Sequence, residues 1–403
     1  MEILETLQGY PDLIQVIRGN YLLTEAQGEN FTIIGRYLIN KLRAEDRFTF
    51  YIDLKAAISH KTEFMTLPLL SVEELQSWEQ KVKEEADNKE FKVSQAKNAG
   101  LRDSYRAHLI ELAQFYLKTG DFTNTMKVLQ RAKDLTITAD QQYDLFSLMS
   151  LASLFKNNVS FAQNNAQKII NLSGLPASQT ITSKVIMGLC NMQSSNFKSA
   201  TEYFISLEGV NNNELASNSD LAVYILLCSM ASMDRASIKS EVSQSKSFLT
   251  FSEDEARLSD LIDSYLNCKF SKVMQIIERL RAQYSTDYFI SRILPSLCDE
   301  IRNKCLIQYL KAFKNVKIAD LAFNFEMSEK SLEEKLSKLI TDGKIDARID
   351  AHEKVVRSRQ VDQKHKLHRS VLETAKNFVS TTQAALLKMS MIQEDVILRV
   401  YRN

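Results

Sequence analysis

The chain has 403 residues, 44% of them hydrophobic and 25% charged, which is long enough to bury more than one core. Its ten glycines and four prolines are about 3.5% of the chain, where an average protein carries roughly 12%; the shortage excludes collagen-like and disordered chains and disfavours turn-rich sandwiches, barrels and doubly wound folds. Lysine and arginine number 51 against 50 aspartates and glutamates, a balance that disfavours a protein whose main task is to coat nucleic acid or an anionic membrane.

Residues 1–60 predict a helical N-terminal segment of two or three short amphipathic helices, with Leu38 and Leu42, then Phe50, Leu54 and Ile58, on one face. Residues 61–100 form a charged connector: Pro68 breaks the chain, Ser71 and Glu74 have capping-box spacing, and 79–92 alternates acids with lysines. An internal repeat begins at 101. Gly120-Asp121-Phe122 lies between predicted helices 104–118 and 123–135, and related turns occur at Asn157-Asn158-Val159, Ser195-Asn196-Phe197, Met233-Asp234-Arg235 and Cys268-Lys269-Phe270. The third residues of these turns are 37, 38, 38 and 35 positions apart. This is the spacing of tetratricopeptide-like helical hairpins. One hairpin cannot cover its own apolar faces, so 101–295 predicts a solenoid with a continuous core. Within it Leu221 to Met233, interrupted by Ser229 and Ser232, reads as a buried helix rather than a membrane span.

The pattern changes after Pro295. Helices are predicted over 301–313, 318–325 and 329–341, the last with Ser328 as N-cap and Gly343 as its stop. Ile345, Ala347 and Ile349 then alternate with polar residues, Ala351 to Lys354 turns the chain, and Val355-Val356 runs back. Three helices and a two-stranded wing make 296–361 a winged helix, and 362–403 holds one long C-terminal helix. The fold class is all-α.

Ile301 to Tyr309, the helix Ser331 to Ile340 and Gly343 to Asp350 together resemble a PCI domain. That module of helical repeats capped by a winged helix is shared by subunits of the proteasome lid, the signalosome and a translation initiation factor. Ser217 to Tyr224, Ala231 to Arg235 and Arg357 to Gln363 resemble the subunit 1 branch of the signalosome, with the proteasome-lid paralogue as nearest competitor. The resemblance covers about 100–380. It implies a non-catalytic scaffold of the cytoplasm and nucleus that contacts other signalosome subunits and cullin-RING ubiquitin ligases, from which the complex removes NEDD8. The isopeptidase of that complex is a different, zinc-binding subunit.

The chain shows no catalytic constellation of its own. His60 and His108 are isolated, His352 sits in the wing turn, and His365 and His368 beside Glu373 read as a solvated helix face, so no metal is expected. Cys190, Cys228, Cys268, Cys298 and Cys305 are widely spaced and read as reduced core residues of an intracellular protein. No basic stretch precedes Ile3 and Leu4, and no run of about 18 apolar residues occurs, so neither a leader nor a membrane contact is expected. Phosphate-cradling glycine loops and a nucleophile elbow are missing, so neither a cofactor nor an enzyme is expected.

Candidate interface residues lie in the wing and beyond it. The wing offers a strand edge for backbone pairing with a neighbour, through Val355 and Val356 or through Ile345 and Ile349. Val371, Ala375, Phe378, Thr382, Ala385, Met389, Ile392 and Val396 follow the steps of a bundle seam, widened by Leu372, Val379, Leu386 and Ile397. Lys354, Arg357, Arg359, Lys364, Lys366 and Arg369, set against Asp362 alone, form a basic patch suited to an acidic partner. Nucleic acid is the alternative from a different class. However, the third helix carries Lys330, Lys335 and Lys338 against Glu329, Glu333, Glu334 and Asp342, and the patch has no interleaved aromatics.

Overall fold

The computed structural model describes residues 7–25, 28–61, 67–207, 215–253, 255–358 and 363–394. The chain divides into two compact units, 1–305 and 306–403.

The first unit opens with α1 (Asp12–Glu25), α2 (Glu29–Ala44) and α3 (Phe48–Ile58), whose buried Val16, Leu23, Phe31, Leu38, Leu42, Leu54 and Ile58 form the N-terminal core. Then α4 (Val72–Asn98) starts at a reciprocal cap. The Ser71 hydroxyl accepts from the Glu74 N–H and the Glu74 carboxylate accepts from the Ser71 N–H. Only Trp78, Val93 and Ala96 of this 27-residue helix are buried, which is why its sequence tolerates alternating charge. Trp78 fixes its start by donating to Asp46 at 3.1 Å and packing edge-on against Phe48.

Helical hairpins follow: α5 (Arg102–Thr119) with α6 (Phe122–Lys133), α7 (Ala139–Phe155) with α8 (Val159–Ile170), and α9 (Ala177–Gln193) with α10 (Phe197–Ile205). Next are α11 (Asn218–Ser232), a turn of helix at Arg235–Ser237 running into a π-helical turn at Ile238–Val242, α12 (Lys246–Phe251), the pair α13 (Ala256–Leu266) and α14 (Phe270–Tyr284), and α15 (Leu294–Ala312). Four hairpins are closed by the same two-residue joint. Gly120, Asn157, Ser195 and Cys268 have φ of 98°, 61°, 60° and 57°. In each case the next N–H bonds at 2.9 Å to the carbonyl five residues back, from Asp121 to Tyr116, Asn158 to Ser153, Asn196 to Asn191 and Lys269 to Ser264. The following residue, Phe122, Val159, Phe197 or Phe270, begins the next helix.

The turn at Met233-Asp234-Arg235 is different. Met233 and Asp234 are extended, with ψ of 155° and 157°, so this marker has the right spacing without the joint. A further copy lies upstream of the expected repeat: Asp46 has φ 53°, Arg47 N–H bonds to Leu42 O at 3.0 Å, and Phe48 opens α3. Helix α11 is buried at every residue from Asp220 to Ala231, as its nearly continuous apolar sequence requires.

The second unit holds β1 (Asn315–Lys317), α16 (Ile318–Asn324), α17 (Glu329–Thr341), β2 (Ala347–Asp350), β3 (Val355–Ser358) and α18 (Gln363–Gln393). Its core is Val316, Ile318, Leu321, Phe325, Leu332, Leu336, Leu339, Ile345 and Val356. The Ser328 hydroxyl caps α17, and Gly343, at φ 69°, follows its end. The wing has three strands rather than the expected two, all antiparallel in the order β1-β3-β2. Strand β1 is three residues long with one inward side chain, Val316, too short for an alternating pattern to register.

Candidate assembly interface

The third strand changes which side of the wing is open. Val356 lies opposite Val316 of β1 and Ile349 of β2, and Val355 lies opposite Lys317 and Asp350. Strand β3 is therefore central and paired on both sides, so the free edge expected at Val355 and Val356 is already occupied. The sheet's outer strands are β1 and β2. Ile349 stands in β2, half-buried, whereas Ile345 precedes the strand and is buried in the core.

The basic patch is partly neutralised by acids that lie outside the stretch 354–369. Lys354 Nζ is 2.6 Å from Glu329 at the start of α17, and this hydrogen bond raises the lysine's pKa above its ordinary value. Arg357 reaches Asp350 at 3.3 Å and Glu353 at 2.5 Å. Counting Asp362 as the only opposing acid therefore overstates the patch. Lys364, Lys366 and Arg369 stand exposed on α18. Arg359 lies outside the described residues, as do Val361, Asp362, Val396 and Ile397.

No described residue of α18 is buried. Phe378 is 71% exposed, Met389 66%, Ile392 67%, Leu386 59% and Leu372 48%. The hydroxyls of Thr374, Thr381, Thr382 and Ser390 donate to the carbonyls four residues earlier, so the polar group of Thr382 is satisfied within the helix itself. A continuous face of this size is what proteins cover with another chain.

Sequence reasoning missed the strongest polar feature of the first unit. Arg18 on α1 is almost fully buried and bridges two carboxylates, donating to Asp220 at the start of α11 and to Asp287 before α15, both at 2.9 Å. Tyr224 donates to Asp287 at 2.9 Å, Tyr10 donates to Asp220, and the Arg18 guanidinium lies 4.1 Å over the Tyr10 ring. Asp287 also accepts from the Phe289 N–H at 2.8 Å. Burial raises the Asp287 carboxyl above its usual range and Arg18 opposes the rise, while the two carboxylates hold Arg18 firmly charged against its own burial. A cleft of about 790 Å³ opens beside this cluster, lined in part by Ser217, Glu255, Arg257 and Tyr284. The signal available in sequence was Asp220, an acid heading an otherwise apolar run.

Among the described residues no group of three or more His, Cys, Asp or Glu side chains is placed to hold a metal ion, and no helix is long and apolar enough to cross a membrane.

Comparison with known proteins matches residues 72–241 to the family model described as 26S proteasome subunit RPN7, and residues 269–360 to the PCI domain. COP9 signalosome complex subunit 1 of Emericella nidulans is 30% identical over 336 residues, 79% of this chain and 67% of the relative. Subunit 1b of the same complex from Drosophila melanogaster is 27% identical over 309 residues, 74% of this chain and 59% of the relative. The 26S proteasome non-ATPase regulatory subunit 6 of Dictyostelium discoideum is 20% identical over 385 residues, 94% of this chain and 97% of the relative.

Proposed function

The chain belongs to the COP9 signalosome subunit 1 family, and from that premise we propose that it is a non-catalytic scaffold of a complex that removes NEDD8 from cullin-RING ligases. The observation that carries the scaffold role is α18: a 31-residue helix on which Leu372, Phe378, Leu386, Met389 and Ile392 all face solvent is a surface awaiting helices of other subunits. Leu372, Phe378, Leu386, Met389 and Ile392 are the proposed contacts. A second contact is backbone pairing at the outer edge of β2, through the stretch that includes Ile349. Lys364, Lys366 and Arg369 are proposed to meet acidic groups of a neighbour. The isopeptidase chemistry is assigned to another subunit, and the place of action to cytoplasm and nucleus.

The test is co-expression with the other signalosome subunits of the full chain and of a chain ending before Gln363. The full chain should enter the complex and restore its NEDD8 removal, and the shortened chain should not. Normal incorporation of the shortened chain would refute the role of α18. The family model over 72–241 favours a second reading, a proteasome-lid subunit. Co-purification with lid rather than signalosome subunits would establish it.

A further inference from the structure

The cleft beside Arg18 has the size and the unmet polar groups of a binding site. At about 790 Å³ it falls within the range of ligand pockets. Its walls come from the residues before α1, from α1 itself and from the ends of α11, α13 and α14, all within the first unit. Tyr284 closes α14 and lines the cleft; it is 6% exposed, yet its hydroxyl has no hydrogen-bond partner among the described residues. Glu255, at the head of α13, holds its Oε2 out of water, also without a partner. A carboxylate oxygen and a phenol oxygen left open in one wall are both satisfied by a ligand that brings N–H donors.

The charges around Tyr284 give the sign of that ligand. Burial raises its phenol far above the ordinary value, and Asp220, Glu255 and Asp287 add to the rise, so all three carboxylates act at this hydroxyl. The lining sets these acids against Arg18 and Arg257, a net charge of −1. Arg18 is already shared between Asp220 and Asp287, and Arg257 is exposed, where water and salt screen it. Because α14 ends on Tyr284, the negative end of its dipole adds to the carboxylates. The start of α11, which by itself would favour an anion, is capped by Ser217 and Asp220.

The acids are not placed to share a metal ion. The open acceptors are two single points rather than a matched pair of oxygens, which suits the three rotatable donors of an ammonium better than the planar fork of a guanidinium. We infer that the cleft between α1, α11, α13 and α14 binds a primary alkylammonium group, carried by a lysine side chain or by a polyamine, with Tyr284 and Glu255 as its hydrogen-bond acceptors. The inference stands apart from the assembly role of α18.

The experiment titrates the full chain with acetyl-lysine methylamide, its neutral analogue acetyl-norleucine methylamide, a capped Ala-Lys-Ala peptide and spermidine, followed by saturation-transfer NMR. The lysine probe should bind saturably, with a Kd on the order of 1 mM or tighter, and the norleucine probe should not. E255Q and Y284F should each weaken binding at least about fivefold, and R257A, which removes the rim cation, should strengthen it about twofold, with thermal unfolding of all three matching the parent. If Y284F unfolds, E255Q and R257A carry the test. A peptide that binds tighter than spermidine identifies a protein lysine as the source, and the reverse order a polyamine. The inference is overturned if neither lysine nor spermidine binds saturably, if norleucine binds as well as lysine, or if E255Q and R257A leave the affinity unchanged.

Discussion

A Cβ placed on Gly120 would lie 2.7 Å from Cδ2 of Phe50, so the first hairpin joint of the solenoid is sealed by an aromatic ring from the N-terminal helices. Phe50 in turn meets Phe122 edge-on at 5.7 Å, directly after the joint. The substitution G120A imposes both a collision and a side chain at φ 98°, and should lower unfolding free energy by about 2 to 3 kcal/mol in urea titration. The opposite change, S195G, relieves a side chain from φ 60° and should stabilise by about 0.5 kcal/mol. A harmless G120A would show that the joint does not set the packing.

Replacing Arg18 by Met leaves two buried carboxylates without their cation, and should cost about 3 to 5 kcal/mol at neutral pH. The sign of the pH dependence follows from Asp287. Its carboxyl is raised by burial, so the native state takes up the proton more readily, and its contribution to stability is present at low pH and lost as pH rises through the folded value. Removing Arg18 removes the group that opposes the rise. The stability gap between parent and variant, followed by denaturant titration, should therefore narrow as pH falls from 7 toward the carboxylate range; a gap constant with pH would contradict the assignment.

Val356 should behave as a core residue. It is 1% exposed between two strands, so V356A should destabilise the winged helix by about 2 kcal/mol in the isolated chain. An exposed side chain on β2, as in R348E, should shift stability by less than about 0.5 kcal/mol. Equal melting temperatures for V356A and the parent would restore Val356 as a candidate edge contact.

The apolar stripe predicts the reverse pattern. In F378D/L386D both positions are exposed, so thermal unfolding of the isolated chain should move by no more than the equivalent of about 0.5 kcal/mol, while incorporation with the other subunits is lost. A large fall in melting temperature would place α18 in a core of its own chain.

What was legible in the sequence is what repeats or alternates locally. The joints at Gly120, Asn157, Ser195 and Cys268 could be read because a left-handed residue, a cap and a bulky helix opener recur about every 37 positions. The copy at Asp46-Arg47-Phe48 has the same chemistry 74 positions before Phe122, twice 37, but α4 fills the interval with one unbroken helix and hides the period. The third strand escaped because three residues carry one alternation. Without β1, the sequence pattern leaves Val355 and Val356 at an edge, whereas β3 is paired on both sides. The acid that neutralises Lys354 could not be paired with it by position alone, since Glu329 is 25 residues away and reaches the turn only through the fold of α17, whereas Asp350 and Glu353 stand close to Arg357 in the chain. The bond from Arg18 to Asp287 spans 269 residues, and no local pattern announces it.

That separation sets an order of events during synthesis. A ribosome extending the chain at roughly 5 to 20 residues per second needs on the order of 13 to 54 s to get from Arg18 to Asp287. Each hairpin of the solenoid can close from neighbours only tens of residues apart, so the early ones are complete well before Asp287 exists. Helix α1 is made first and packs on α2 and α3 early, yet its Arg18 lacks its second carboxylate until Asp287 emerges. Ribosome-stalled chains cut short before residue 287 should hold α1 less firmly than the full chain, so that protease cuts it faster, although every residue of that helix has already been translated.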